Sequence, residues 1–332
     1  MKIRKIIIEI TALLLCVIML FVCTSRMGFI LMPERYDYGG TWNMFLEEKE
    51  NSIDLMIVGS SHAYCNIIPS QLYRDTGVSN YVLSAPCLTM PLAYYYIKEG
   101  LKTQSPKVIM LEMTGFFFNR YMGHAKAAIG YMPGGLNRLG AIATSAEPDE
   151  RAGLLFPLYN YHDRWVEFEL SDYFKKRPDQ TADINAGYTV LLESTPQEKR
   201  SERVFEYTEE DIALQTEYLK KIRLLCNEKG IELEMFIAPA ASYVTEADKK
   251  LIAERLPGDT VLTDFNDDFD EIGLDLARDF YDARHLNFYG ATKFTEVFSE
   301  YVKNNFSFEN SRADLTLWQK RLDNLDKLLI SC

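Results

Sequence analysis

The chain carries the stretch DLMIVGSSH at residues 54–62. Four consecutive apolar residues followed by Gly-Ser-Ser predict a short buried strand that ends in a turn. A helix is expected soon after it, because Pro69 is suited to the first turn of a helix. The order strand, loop, helix is the first unit of an α/β fold, and it puts both serines at the carboxyl end of the strand.

The same alternation continues along the chain. Apolar runs predict further strands at 80–83, 107–113, 232–237 and 261–265. Helical spacing and turn residues predict helices at 69–75, 91–101, 209–229, 249–256 and 291–302. Strands that alternate with helices form a mostly parallel sheet covered on both faces, so we expect a three-layer α/β fold. Sites in such folds form at the carboxyl ends of the strands.

The composition is that of a globular protein. Of 332 residues, 47% are hydrophobic and 25% are charged, with 18 Gly and 12 Pro, which excludes collagen-like, low-complexity and largely disordered chains. The net charge is −12, and an acidic surface is repelled by phosphate backbones. Nucleic acid is therefore not expected as a partner. The length suits one large domain with an insertion, or two domains.

A long apolar run follows the amino terminus. Residues 6–23, 18 positions in all, come directly after the basic residues Lys2, Arg4 and Lys5. As a helix, such a run spans roughly 27 Å, close to the hydrocarbon core of a bilayer. We expect a single-pass transmembrane anchor at 1–25, with the basic flank in the cytoplasm and the remaining chain outside. A cleaved signal peptide and a buried core helix are the alternatives.

The alternation of strands and helices stops between about residues 116 and 207. Aromatic residues are frequent in this stretch, among them Phe116, Phe117, Phe118, Tyr131, Phe156, Tyr159, Trp165 and Tyr173. We expect a long, mostly helical insertion above the site end of the sheet. Its rings either form a small core of their own or stack on sugar rings, which suit flat apolar faces with polar rims.

The carboxyl terminus holds an amphipathic helix at 314–329 with a leucine-rich stripe. Docking of this helix on the domain is expected, with partner binding as the alternative. The predicted organisation is an anchor at 1–25, a membrane-proximal linker at 26–51, an α/β domain at 52–304 that contains the insertion at 116–207, and a terminal helix at 305–332. Cys65 and Cys87 follow neighbouring strands, so either a disulfide outside the cell or two buried thiols fits them.

Two short motifs carry the residues that could do chemistry. Ser61 lies at the strand-to-helix turn, where backbone N–H groups can bind a developing oxyanion. The second motif, DARHLN at 282–287, precedes the last helix of the alternation. A carboxylate three residues before a histidine can accept from its Nδ1–H and leave Nε2 as the base for a serine. Ser61, His285 and Asp282 are therefore the catalytic candidates.

Together, GSSH after the first strand and DARHLN near the end of the alternation resemble the SGNH/GDSL hydrolase superfamily. The resemblance covers about residues 52–304 and implies a flavodoxin-like SGNH fold. It also implies that Ser61 is the nucleophile, His285 the base and Asp282 the residue that orients it. No cofactor is expected.

Two loops depart from the family pattern. Family members place an oxyanion-donating Gly after the second strand and an Asn after the third, whereas these loops read LSAP at 83–86 and LEMT at 111–114. Ser84 and Ala85 remain as oxyanion candidates. A missing side-chain donor costs about 2.7–4 kcal/mol of transition-state stabilisation. The departure therefore favours, as the alternative to an enzyme, a catalytically impaired protein of the same fold.

Two interpretations are open for each of the polar residues His62 and Arg284, which lie next to the motif residues. His62 is either a candidate substrate contact and second acid/base or a structural histidine. Arg284 either faces an anionic substrate group or forms a surface ion pair. His124 and His162 have no ligand spacing with each other or with a carboxylate, so no metal site is predicted.

The apolar amino terminus, the insertion and the loop departures make the chain similar to the envelope branch of the superfamily, which includes lipoteichoic-acid D-alanylation and alginate O-acetylation proteins. That likeness implies a membrane-anchored serine esterase or O-acyltransferase that acts on an extracytoplasmic glycan or its acetyl or alanyl esters. The expected partners are a cell-envelope glycan or acylated polymer, a membrane-bound O-acyltransferase, and lipid around the amino-terminal helix. A glycan-binding or scaffold protein of an envelope acylation system is the alternative.

Overall fold

A computed structural model of the chain describes residues 2–32, 42–121, 124–173, 182–256, 261–308 and 311–331. The chain forms two compact units: residues 1–34 with 147–178, and residues 35–146 with 179–332. The stretch expected to be one insertion is therefore divided. Its middle part belongs with the amino-terminal helix, and its two ends belong with the sheet.

The second unit is an α/β fold on a five-stranded parallel sheet, so the predicted mostly parallel sheet is confirmed. The sheet has the order β2-β1-β3-β5-β7 and consists of β1 (Leu55–Val58), β2 (Asn80–Val82), β3 (Val108–Glu112), β5 (Glu232–Ile237) and β7 (Leu262–Asp264). A small parallel pair joins β4 (Ser201–Glu202) to β6 (Ser242–Tyr243). In the large sheet, Ile57 lies between Val82 and Met110, and all three side chains are fully buried.

Helices flank this sheet, with the long ones where the sequence predicts them. They are α2 (Trp42–Phe45), α3 (Ser61–Asn66), α4 (Pro69–Thr76), α5 (Met90–Gly100), α6 (Ala125–Ile129), α7 (Leu136–Ser145), α10 (Glu209–Lys229), α11 (Glu246–Arg255), α12 (Phe269–Ile272), α13 (Phe288–Asn305) and α14 (Leu315–Ser331). A 3₁₀ turn covers Thr114–Phe117. Helix α10 shows why the local sequence is decisive: Thr208 and Asp211 cap its start reciprocally, and Gly230, with φ 65°, ends it.

The carboxyl-terminal helix α14 belongs to the second unit and packs on its helix α4. The ring of Trp318 stacks on that of Tyr73 in α4, with centroids 4.2 Å apart and planes 13° apart. Leu325 and Arg321 are buried on the same face, and the Arg321 guanidinium donates to Glu48. Of the leucines in the predicted stripe, Leu325 is buried, whereas Leu315, at the first position of α14, is exposed.

The first unit contains α1 (Lys2–Leu31), α8 (Arg151–Leu155), α9 (Pro157–Tyr161) and two 3₁₀ turns at His162–Glu167 and Leu170–Tyr173. Within α1, the 29-residue span Ile3–Leu31 is long and apolar enough to cross a membrane. The helix therefore continues past residue 25, where the anchor was expected to end. None of its most apolar window is buried in the protein, which argues against the buried core helix.

Candidate active site

Ser61 is the first residue of α3 and directly follows the turn after β1. That turn packs tightly against β3: a Cβ on Gly59 would lie 2.4 Å from Cβ of Glu112, so only glycine fits. Ser60 caps α3, since its side chain accepts from the backbone N–H of His62. The strand and cap therefore hold Ser61, which is half-buried, at the carboxyl end of the sheet.

His285 lies on the loop that connects to α13. The backbone N–H of Leu286 donates to Asn66 Oδ1 at 3.1 Å, which ties this loop to α3. The side chain of Asn287 caps α13 by accepting from the N–H groups of Tyr289 and Gly290 at 3.1 Å each. The two residues that follow His285 in the loop are thus held in place.

The three predicted catalytic candidates form one chain of hydrogen bonds. Ser61 Oγ lies 2.7 Å from His285 Nε2, and His285 Nδ1 lies 2.9 Å from each carboxylate oxygen of Asp282. Because an ionised carboxylate only accepts, the ring proton sits on Nδ1 and Nε2 accepts from the serine hydroxyl. Such an arrangement can activate a hydroxyl as a nucleophile.

Asp282 is held in its ionised form by its surroundings. Burial is the largest single influence and by itself would raise the pKa of Asp282, whereas the hydrogen bond and charge of His285 oppose it. The backbone N–H groups of Arg284 and His285 also donate to Asp282 Oδ1, at 2.7 and 3.0 Å. These contacts together lower the pKa of Asp282 below its ordinary value.

His62, the residue after the candidate nucleophile, is 3% exposed and lies with its ring centroid 5.5 Å from that of His285. Its Nε2 accepts from Arg203 Nη1 at 2.9 Å, because a guanidinium only donates. Burial, with the charge of Arg203 as the second cause, lowers the pKa of His62 well below its usual value. A buried neutral imidazole favours the structural reading over a second acid/base.

Glu112 is a buried carboxylate that the sequence analysis missed. It ends β3, is 0% exposed, accepts from the Ser60 hydroxyl at 2.9 Å and accepts from the Thr114 backbone N–H at 2.9 Å. Burial raises the pKa of Glu112, although these hydrogen bonds oppose the shift. The signal was available, since an acidic residue at the end of an apolar run has to find partners when the strand is buried.

The oxyanion candidates are only partly supported. Ala85 N–H donates to the carbonyl of Gly59 at 3.4 Å, so this amide is already engaged within the backbone. Ser84 is 1% exposed, and its hydroxyl has no partner among the described residues. The N–H of Ser61, in the first turn of α3, belongs to the groups that a helix leaves without an internal acceptor.

Arg284 and Arg203 both line an open pocket of about 310 Å³. Arg284 was a candidate substrate contact, whereas Arg203 was missed because a single arginine outside any periodic segment carries no signal. Among the described residues, no group of three or more His, Cys, Asp and Glu is arranged to hold a metal. Cys65 and Cys87 are both free thiols.

The structure therefore brings Ser61, Asp282 and His285 together and puts Arg284 beside them. Ser84 and Ala85 lie on the neighbouring loop without a clearly available donor group. No protein-family model matches the chain, and none of the curated proteins matches it significantly.

Proposed function

We propose that the protein is a membrane-anchored serine esterase or O-acyltransferase of the SGNH type that acts on an extracytoplasmic cell-envelope glycan. The observation that carries this proposal is the continuous contact Ser61–His285–Asp282, at 2.7 and 2.9 Å. The sheet supports this proposal. When its five strands are numbered in chain order, their order across the sheet is 2-1-3-4-5, which is that of flavodoxin-like folds.

In this proposal, Ser61 Oγ attacks the carbonyl carbon of an acyl ester while His285 Nε2 takes the hydroxyl proton. Collapse of the tetrahedral intermediate breaks the bond to the leaving oxygen, which receives that proton from His285, and leaves acyl-Ser61. In the second half, His285 takes a proton from water or from a glycan hydroxyl. The oxygen thus activated attacks the acyl carbon, and Ser61 leaves with the proton.

The cell-envelope part of the proposal depends on α1. A membrane-length helix whose apolar run at residues 6–23 follows Lys2, Arg4 and Lys5 fits an anchor whose amino terminus stays in the cytoplasm. The second unit then faces the extracytoplasmic glycan, and a membrane-bound O-acyltransferase is the partner that would supply acyl groups. A cleaved signal peptide would release the same unit into the same compartment.

The alternative is a glycan-binding or scaffold protein on the same fold. Glu112 favours it, since a buried acidic side chain ends β3, the strand after which the family has an oxyanion-donating Asn. The engaged amide of Ala85 favours it as well.

Acylation of Ser61 tests the proposal directly. The purified full-length chain, incubated with 4-nitrophenyl acetate, should gain one acetyl group on the peptide that contains Ser61. Ser61→Ala should abolish this gain, and the control Ser307→Ala, at an exposed serine outside the site, should retain it. Faster discharge by an oligosaccharide than by buffer indicates transfer, and equal rates indicate hydrolysis. If no acetyl group is found, and the wild-type and Ser61→Ala chains both bind glycan, the result favours the glycan-binding protein.

A further inference from the structure

Two arginine side chains line the pocket beside the Asp282–His285 loop. Arg203 and Arg284 share this pocket with aromatic rings, including that of Phe205. Within the described part of the chain, no carboxylate oxygen forms a salt bridge with either guanidinium. The chain has 48 acidic and 36 basic residues, so two neighbouring arginines that lack a carboxylate partner among the described residues indicate a specific use.

Arg203 is held in place before any ligand arrives. Its backbone N–H donates to the carbonyl of Tyr243 at 2.7 Å, its Nη1 donates to His62, and its guanidinium carbon lies 4.6 Å from the ring centroid of Phe205. Burial, followed by the charge of Arg284, lowers the pKa of Arg203 to about 10, which leaves it charged at neutral pH. Its other guanidinium N–H groups have no acceptor among the described residues.

We propose that Arg203 and Arg284 bind a carboxylate or phosphate group of an acidic glycan while the reacting ester or hydroxyl lies at Ser61. The location of the reacting group rests on the proposed function, but the anion site does not. Arg284 directly precedes His285, and Arg203 contacts His62, whose ring lies beside that of His285. The pocket also includes exposed Glu206, a single carboxylate at the rim against two guanidinium groups.

Ligand binding to the full chain with Ser61→Ala tests this site without any turnover. Calorimetry with inorganic phosphate, trigalacturonate and neutral maltotriose should show binding of at least one anion and a weaker response to maltotriose. Arg284→Gln or Arg203→Gln should weaken anion binding by about tenfold or more, as expected for a charge-assisted hydrogen bond. Arg255→Gln, which removes the same charge from exposed helix α11, should leave it unchanged.

Binding of phosphate alone or of trigalacturonate alone identifies the preferred anion. Absence of anion binding, or equal affinity in all four proteins, overturns the site. Failure of Ser61 acylation leaves this test standing, because every measurement is made on protein without the nucleophile.

A different set of residues, in the first unit, carries a second inference. Residues 151–173 pack on the last turns of α1: the ring of Phe156 meets that of Phe21 edge-on, with centroids 6.3 Å apart. Gly28 lies so close to this segment that a Cβ there would be 2.5 Å from the backbone nitrogen of Leu158. Arg164 Nη1 also donates to the carbonyl of the last residue of α1 at 2.7 Å.

The same segment presents large apolar side chains to its surroundings. Leu155, Phe156, Tyr159, Trp165, Val166 and Leu170 are all exposed. Trp165 is 67% exposed, whereas the other two tryptophans, Trp42 and Trp318, are 0% and 3% exposed. Exposed clusters of this size are costly in water, and tryptophan and tyrosine concentrate where lipid headgroups meet hydrocarbon.

We infer that residues 151–173 lie in the interfacial layer of the bilayer that α1 is proposed to cross, with these apolar side chains in lipid. Phe21, which Phe156 contacts, belongs to the apolar run, and Arg26, whose guanidinium lies 5.6 Å from the Tyr173 ring, marks its polar end. The segment is therefore attached to α1 at the level where hydrocarbon gives way to headgroups. The inference rests on anchoring by α1, but not on catalysis.

Quenching of Trp165 tests this placement in the full chain. The protein is reconstituted into phosphatidylcholine vesicles whose acyl chains are brominated close to the headgroup, and flotation first establishes that α1 retains it. A quenched tryptophan component is expected, and Trp165→Phe should remove it. Leu170→Glu should weaken the quenching, and Leu315→Glu, at an equally exposed leucine of the second unit, should not.

A protein that floats but shows no quenching of Trp165 overturns this inference and leaves the anchor intact. Quenching that appears only after a second membrane protein is added also overturns it, since the face then binds protein. A protein that does not float removes the anchor, and this inference fails with it.

Discussion

Ser60 and Ser61 are neighbours in the chain, but their hydroxyl groups have different partners. Ser60 Oγ lies 2.9 Å from the buried carboxylate of Glu112, whereas Ser61 Oγ lies 2.7 Å from His285 Nε2. The two serines hold different positions at the start of α3. Ser60 is the capping residue, whose side chain accepts from the backbone N–H of His62, whereas Ser61 is the first residue of the helix. The turn thus gives one hydroxyl to the buried carboxylate and the other to the candidate base His285.

The two serines should differ in labelling and in stability. A fluorophosphonate probe should label the wild-type chain at Ser61, and Ser61→Ala should abolish the label. Ser60→Ala should lower the free energy of unfolding by about 1–2 kcal/mol through loss of the cap and of the bond to Glu112. Mass spectrometry and urea denaturation measure the two effects. A label that moves to Ser60 in the Ser61→Ala protein would contradict the assignment.

Asp282→Asn should slow acylation of Ser61 by roughly 10²- to 10⁴-fold, because an amide no longer selects the tautomer with the proton on Nδ1 of His285. The lowered pKa of Asp282 means that its carboxylate stays ionised well into mild acid. The wild-type rate at mildly acidic pH should therefore not be limited by protonation of Asp282. Stopped-flow acylation across pH measures this, and equal rates for the two proteins would remove Asp282 from the mechanism.

Glu112 should make the stability depend on pH. Its pKa is raised in the folded protein above the ordinary 4.5, so the folded state binds more protons than the unfolded state in the interval above 4.5. The free energy of unfolding should therefore fall as pH rises through this interval, and Glu112→Gln should remove that part of the dependence. Urea denaturation between about pH 5 and pH 8 measures it. Glu228→Gln, at an exposed carboxylate, is the control that should keep the wild-type slope.

The ion pair between Arg321 and Glu48 should be essential for docking of α14. Both side chains are buried, and the guanidinium also donates to the carbonyl of Asp183 at 2.8 Å. Arg321→Ala leaves a buried carboxylate without its partner, which should lower the free energy of unfolding by about 3–5 kcal/mol. The exposed pair of Arg74 and Asp326 provides the control, and Arg74→Ala should cost less than about 1 kcal/mol. Similar losses in the two variants would contradict this account.

The orientation of the anchor can be measured by labelling. Leu136 is 84% exposed in the second unit, and Leu136→Cys provides a reactive thiol there, while Cys65 and Cys226 are buried. An impermeant maleimide should label this cysteine in intact cells. Labelling only after lysis would place the second unit in the cytoplasm and defeat the proposed envelope function.

Several features were predictable because they depend on neighbours in the chain. The strand before Ser61 is a run of four apolar residues, and Asp282 and His285 are three residues apart on one loop, so their contact is nearly local. The division of residues 116–207 between the two units was not predictable. An aromatic residue in the sequence can either fill a core, as Phe116 does, or remain exposed, as Trp165 does. Only the packing of the folded chain distinguishes the two cases.

The sequence alone therefore determined the membrane-length helix, the α/β alternation and the two motifs, since apolar periodicity and short-range spacing are written in consecutive residues. The tertiary structure decided the distance between Ser61 and His285, which are 224 positions apart, and the contact of Arg203 with His62, which are 141 positions apart. Contacts of that range follow from the register of parallel strands and from which loops meet at one edge of the sheet. The distance between two such loops depends on many packing contacts spread along the chain, so no local sequence pattern encodes it.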